Sequence, residues 1–296
     1  MTTTFELNEV GVDGARLTYA DVGQGDPLVL LHGWPESHAA WRHQIGPLSR
    51  SRRVIAPDWQ GWGASARDLR LSCDYDTEVD RIARLFDALG LGRVDLACHD
   101  YGGFLGLGFV QRYPDRVQRF AILNSRAHRT FTTPYYQLFG LFSAAARRPL
   151  LRPLLTARTI GLVHRLGLAQ FVRNGSFDTQ RLAGYLDFLN TREGRRWYAH
   201  FWAGYSVRVR PELAAGLAAI RCPTAVIWGD KDPAIPFRYA EDLAAHIPHA
   251  TLVRIAGGRF IMEQRPAEVT EALQAWLRRP VEGASSVLSG TEDYST

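Results

Sequence analysis

The stretch CHDYGG, residues 98–103, places an acidic side chain among small residues where an apolar run, VDLACHD, gives way to a helical one. At a sharp strand-to-helix turn the backbone packs tightly, so only small neighbours fit, and one side chain is lifted clear of the end of the sheet. This is a nucleophile-elbow pattern with an acid in the nucleophile position. The plain alternative is an aspartate that caps the following helix. In either case the residue is Asp100. No cofactor motif accompanies it: there is no G-x-G-x-x-G, no phosphate-binding loop and no H-E-x-x-H. Cys73, Cys98 and Cys222 are scattered without metal-ligand spacing. Neither a metal nor an organic cofactor is expected.

Around Asp100, strand and helix patterns alternate, as in an α/β protein with a mostly parallel sheet. FELNEVGV and ARLTYADV read as alternating strands at the N-terminus. PLVLLHG (27–33), VIAPD (54–58), VDLACHD (94–100) and FAILN (120–124) read as buried strands. YDTEVDRIARLFDALG (75–90) has apolar side chains at 79, 82, 85, 86 and 89, one face of a helix that Gly90 stops. From about 126 to 210 the pattern changes to helical runs broken by Pro134, Pro149 and Pro153. Strands resume at TAVIWGD (224–230) and TLVRIAG (251–257), and PAEVTEALQAWLRR (266–279) reads as the last helix. The expected division is a core domain of residues 1–125 and 211–280, a helical insertion of residues 126–210, and a tail, 281–296, that reads as disordered.

Charge follows the same division. The formal net charge is +5, yet residues 126–210 hold 14 arginines against Asp178, Asp187 and Glu193, a surplus of eleven. The arginines form no short basic tract and no nucleic-acid motif accompanies them, so nucleic acid is not an expected partner. Lys231 is the only lysine in the chain, and this arginine bias makes most of the surplus ordinary solvated surface. MTTTFELNEV has no apolar targeting segment, and no apolar run reaches the roughly 18 residues needed to cross a bilayer. The expectation is a cytoplasmic monomer or homodimer that meets a small molecule rather than a membrane.

Four motifs in order carry a resemblance. HGWPES (32–37), PDWQGWGAS (57–65), CHDYGG and WGDKDPAIP (228–236) resemble, respectively, the H-G-x-P loop, the loop after the fourth strand, the G-H-D-x-G-G elbow and the G-x-x-D-x-x-x-P acid motif. These belong to the α/β-hydrolase superfamily, in its epoxide hydrolase and haloalkane or haloacetate dehalogenase branch. Cys98 stands where the elbow usually has its first glycine. The resemblance spans residues 5–280 and is weakest at 126–210, which it identifies as the family's cap. It implies an α/β-hydrolase fold and a two-step reaction. Asp100 would form an alkyl ester, which a water activated by histidine would then hydrolyse, with Asp232 as the orienting acid. The backbone N–H groups of Trp34 and Tyr101 would form the oxyanion hole. Cap tyrosines would protonate an opening epoxide, and Tyr135, Tyr136, Tyr185, Tyr198 and Tyr205 are all available.

The resemblance breaks at one position. Where the family has G-G-H-F, this chain has Gly257-Gly258-Arg259-Phe260. His246 and His249 precede that loop but would need it rearranged to reach Asp100, and His32 and His99 sit inside structural motifs. An arginine stays protonated up to pH ~12 and cannot take a proton from water near neutral pH. Arg259 would instead hold a fixed positive charge beside Asp100 and Asp232. Three readings follow. The site acts without hydrolysis on an epoxide-like carbon of a small aromatic or polycyclic natural product, through ring opening, cyclisation or carbon–carbon bond formation. Alternatively, the chain is an ordinary epoxide hydrolase or dehalogenase using another base, or carrying an engineered Arg259. In the third, the old pocket binds a ligand and is catalytically silent. For the first reading the aromatic side chains Phe131, Tyr135, Tyr136, Phe139, Phe142, Trp197, Tyr198, Phe201, Trp202 and Tyr205 could cover a flat ligand.

Overall fold

The computed structural model describes residues 5–125, 134–151, 154–173, 175, 179–205 and 210–281, without the side chains of residues 134–136, 157 and 165. Phe131, the side chains of Tyr135 and Tyr136, and the tail from residue 282 lie outside the described residues.

Eight strands form one sheet: β1 (Leu7–Val12), β2 (Ala15–Val22), β3 (Pro27–Leu31), β4 (Arg53–Pro57), β5 (Val94–His99), β6 (Val117–Leu123), β7 (Thr224–Gly229) and β8 (Thr251–Ile255). Their order is β1-β2-β4-β3-β5-β6-β7-β8. β2 pairs antiparallel with β1 and β4, and every pairing from β4 to β8 is parallel. The central strands are buried almost throughout, as strands covered by helices on both faces must be. Successive residues feed opposite faces: Leu31 and Leu96 join one apolar cluster, while Leu30 and Ala97 join the other.

The helices are α1 (Arg42–Leu48), α2 (Tyr75–Ala88), α3 (Asp100–Arg112), α4 (Pro134–Ala146), α5 (Ala157–Arg173), α6 (Thr179–Leu186), α7 (Arg192–Gly204), α8 (Pro211–Ala215), α9 (Arg238–His246), α10 (Ile261–Gln264) and α11 (Pro266–Leu277). α2 begins where Asp74 accepts from the Thr77 N–H and ends before Gly90, whose φ of 64° favours glycine. Trp276 of α11 and Trp41 before α1 belong to the cluster on one face of the sheet. The cluster on the other face takes side chains from α2, α3 and the α4–α7 segment. In that segment Phe142 of α4 meets Trp202 of α7 edge-to-face, with ring centroids 5.6 Å apart.

Most strands lie within one or two residues of their sequence reading. β6 is longer than FAILN because it starts at Val117. Arg119 hides that start, since a charged residue in an apolar run reads as a break. Its Nη1 donates to Asp95 Oδ1 of β5 at 2.9 Å, so the charge is buried but paired.

Candidate active site

Asp100 opens α3 directly after β5 with φ 47°, in the left-handed region that few non-glycine residues enter. The turn leaves no space beside it. A Cβ on Gly102 would stand 2.5 Å from the His32 carbonyl oxygen, and one on Gly33 would stand 2.4 Å from the Asp100 Cβ. The small residues around the acid are therefore sterically required. The main-chain carbonyl of Asp100 accepts from Ser125 Oγ at 2.6 Å, which ties the turn to the end of β6. Its carboxylate does not cap α3: Oδ2 accepts from the Trp34 N–H at 2.9 Å, and Oδ1 accepts from Arg259 Nη2.

Arg259 is 1% exposed and bridges two acids. Its Nη1 lies 3.3 Å from Asp232 Oδ2 while its Nη2 bonds Asp100. Asp232 is the best-supplied acceptor in the site. Asn124 Nδ2 donates to its Oδ2 at 3.0 Å, and the Ala234 and Ile235 N–H groups donate to its Oδ1 at 2.8 and 3.0 Å. Burial pushes the Asp232 carboxyl up from its ordinary value, and the nearby Arg259, the two N–H groups and Asn124 pull the other way. Asp230 lies outside this arrangement and pairs at the surface with Arg254.

Two histidines beneath the site are shifted in opposite directions. His32 Nδ1 lies 2.8 Å from the Gly33 carbonyl, and its Nε2 accepts from the Trp59 N–H at 3.1 Å, a pattern that needs one proton. Burial accordingly pulls its pKa down to about 4. His99 faces acceptors from both nitrogens, Glu36 Oε2 at 2.8 Å and the Arg259 carbonyl at 2.9 Å. Burial is the largest single influence and works against its charge, but Glu36 and Asp100 together leave the pKa raised. His99 thus holds the Arg259 backbone in place, and Glu36 also accepts from the Gly33 N–H at 2.8 Å. Neither histidine is available as a base. His246 is bound to the Asp242 carbonyl on α9, the His249 carbonyl accepts from Arg279, and neither histidine lines the cavity over Asp100.

The cavity over Asp100 is lined by Trp34, Asp100, Tyr101, Phe139, Phe201, Trp202, Tyr205 and Arg259, and holds only about 20 Å³. That is room for about one water. The rings close it tightly: Trp34–Phe139 centroids are 4.8 Å apart, Phe139–Trp202 5.0 Å and Trp202–Tyr205 4.9 Å. The expected room for a flat ligand is absent in this arrangement. Of the cap residues singled out in the sequence, Phe139, Phe201, Trp202 and Tyr205 reach the cavity. Tyr185 bonds Glu263 Oε1 at 2.8 Å, and Tyr198 lies 2.5 Å from His164 Nε2. Trp197 packs against Trp62 with centroids 4.9 Å apart, filling the core beside Gly61.

Sequence reasoning missed Asn124, Glu36 and His164. Asn124 ends β6 with φ 37° and accepts from the Gly229 N–H at 2.8 Å while donating to Asp232. A polar residue closing the apolar run FAIL was the available signal. His164 carried none, because α5 sets it among the rings only through tertiary packing. Chemically, the assembled site offers an anionic carboxylate, a donor aimed at it from Trp34 and a fixed guanidinium charge. It offers no proton acceptor where Arg259 stands.

Residues 26–266 match the family model described as alpha/beta hydrolase fold. The chain is 27% identical over 286 residues to the cis-3-alkyl-4-alkyloxetan-2-one decarboxylase of Shewanella oneidensis, covering 90% of this chain and 86% of that protein. It is 30% identical over 285 residues to a soluble epoxide hydrolase of Corynebacterium sp., covering 92% and 96%. It is also 30% identical over 275 residues to a haloalkane dehalogenase of Mycolicibacterium paratuberculosis, covering 88% and 87%. Among the described residues no helix is long and apolar enough to cross a membrane.

Proposed function

Since the chain belongs to the alpha/beta hydrolase fold family and is an enzyme related to epoxide hydrolases and haloalkane dehalogenases, we propose that Asp100 opens a strained, epoxide-like ring without hydrolysing it. One carboxylate oxygen of Asp100 bonds to the ring carbon as the ring carbon–oxygen bond breaks. The released alkoxide takes a proton from Tyr205, the cap tyrosine that lines the cavity. A second nucleophile within the same molecule, an oxygen or an activated carbon, then displaces the carboxylate and returns a proton to Tyr205. The sum is an isomerisation: no water is consumed and Asp100 is regenerated. The Trp34 N–H, with that of Tyr101, steadies the carboxyl oxygen that does not attack.

The observation that carries this reading is the Arg259 guanidinium lying between Asp100 and Asp232. Loss of a positioned base typically slows a reaction by roughly 10²–10⁴-fold, so an Asp100 ester outlasts its attack by water and an internal nucleophile wins. A relative named as a decarboxylase of an oxetanone, a strained ring, supports a non-hydrolytic outcome on this scaffold. The segment 126–210 acts as the cap over the core of residues 1–125 and 211–280. Its rings favour an aromatic substrate of natural-product type, which enters when Phe139, Trp202 and Tyr205 part.

The test is a covalent trap. After incubation with cis-stilbene oxide, peptide mass spectrometry is expected to find the reagent's full mass on the Asp100 peptide, and nothing there in Asp100→Asn. A wild-type chain that binds the epoxide yet never gains mass would favour a second reading, a silent binding protein. The closed 20 Å³ cavity and the engagement of both Asp100 oxygens are what favour that second reading.

A further inference from the structure

Behind Trp34, on the side away from Asp100, α5, α6 and the turn at Asp187–Asn190 surround a cleft of about 630 Å³. That is within the roughly 300–1,000 Å³ usual for small-molecule sites, and far larger than the cavity over Asp100. Its lining includes Leu168, Val172, Leu182 and Leu186, with His164 among them and Arg173 exposed at the C-terminal end of α5. The cleft and the Asp100 cavity share no lining residue among those described. The partition between them is a stack: the His164 and Trp34 rings lie 5.6 Å apart at 18°.

His164 is the chemical anomaly in this apolar wall. It is 5% exposed, and its Nε2 lies 2.5 Å from the Tyr198 hydroxyl. Its Nδ1 has no hydrogen-bond partner of ordinary geometry, although the Ile160 carbonyl one turn back raises its pKa. Burial lowers its pKa to about 4, so the ring is neutral. With Tyr198 donating to Nε2, the ring proton sits on Nδ1. A buried donor without a well-formed hydrogen bond is costly, and an arriving oxygen would satisfy it. Nine residues further along α5, Arg173 supplies a cation, and among the described residues no carboxylate pairs with it. At 1.5 Å per residue the two groups are about 13 Å apart along the helix axis.

We propose that this cleft is a second ligand site, distinct from the Asp100 cavity, for an elongated and mostly apolar molecule. The ligand carries a hydrogen-bonding oxygen at the His164 end and a carboxylate at the Arg173 end. The apolar side chains bury its body, His164 fixes its depth, and Arg173 fixes its direction. The site stands independently of the reaction at Asp100.

The probe is 10-hydroxydecanoate, whose extended length is close to that span, titrated into the full chain by calorimetry and by tryptophan fluorescence. One-to-one saturable binding is expected. Decanoate, which lacks the terminal hydroxyl, and 1-decanol, which lacks the carboxylate, should each bind about tenfold more weakly, the equivalent of one net hydrogen bond or exposed ion pair. His164→Gln should narrow the gap between hydroxydecanoate and decanoate. Ala183→Trp, a partly filled wall made from an exposed α6 residue, should abolish binding without lowering the melting temperature. Asp100→Asn should bind as wild type does. Absence of saturable binding, full binding in Ala183→Trp, or loss of binding in Asp100→Asn each overturns the proposal, the last by placing the probe in the other cavity.

Discussion

On the sheet side of the Asp100 cavity, the carboxylates are met by donors set by the backbone: Trp34, Ala234 and Ile235 N–H groups, with Asn124 and Arg259 closing the network. On the helical side the wall is made of rings, Phe139, Phe201, Trp202 and Tyr205, held by packing. The sheet side is a polar network in which one lost member strands several others. The helical side is a set of ring pairs, each worth about 0.5–1.5 kcal/mol beyond its buried area, so no single pair holds the wall. The anion and its counter-charge are thus held by directional bonds, and the wall above them by packing alone.

The largest effect should come from the sheet side. Asp232→Ala removes the acceptor for Asn124, Ala234, Ile235 and Arg259 at once. Breaking a buried pair in this way costs about 3–5 kcal/mol, readable as a lower urea midpoint at pH 8. An unchanged midpoint would mean that Asp232 is not the partner that holds Arg259.

A middle-sized effect sharpens the contrast through pH. Folded His164 and His32 remain neutral until about pH 4, whereas in the unfolded chain each takes a proton near 6.5. Between those values the unfolded state binds more protons, so stability falls as pH falls. At pH 5 each should cost about 2 kcal/mol relative to pH 8. His164→Phe removes only the helical-side share, so its urea stability should drop about half as much from pH 8 to 5 through these two groups. An acid sensitivity identical to wild type would show that His164 is already protonated or solvated in the fold.

The smallest expected change lies wholly among the helices. Ser143 Oγ serves the carbonyls of Trp202 and Tyr205 at 2.9 and 2.8 Å, holding the end of α7 against α4. Ser143→Ala should cost about 1 kcal/mol, seen as a shift of a few degrees in melting temperature. Loss of several kcal/mol would show that the helical wall is a network like the sheet side.

Legibility in the sequence followed the same contrast. The elbow at Asp100, the acid at Asp232, the loop at Trp34 and the arginine at 259 lie in short contiguous motifs, because backbone geometry dictates residue types over a few positions. Asn124 and Glu36 act across the sheet, 108 residues from Asp232 and 63 from His99, so neighbouring residues do not reveal their partners. The parallel strands were readable from their apolar runs, but the start of β6 was hidden by Arg119, whose partner Asp95 is on the neighbouring strand. Among the helical-side aromatics, sequence could not separate Tyr205, which faces the cavity, from Tyr185 and Tyr198, which bond Glu263 and His164. Side-chain rings on amphipathic helices look alike until tertiary packing assigns them.

The central claim is that Arg259 supplies a fixed charge and withholds a base. The most direct measurement follows the lifetime of the cis-stilbene oxide adduct on Asp100 in ¹⁸O-labelled water, in wild type and in Arg259→His. A histidine there restores a proton acceptor between Asp100 and Asp232. In wild type the ester should persist through the experiment. In Arg259→His it should decay roughly 10²-fold faster or more, releasing diol and leaving ¹⁸O in Asp100 or in the diol. Wild-type ester that decays as fast as the variant's, with the same label incorporation, would contradict the claim, because a base other than residue 259 would then be activating water.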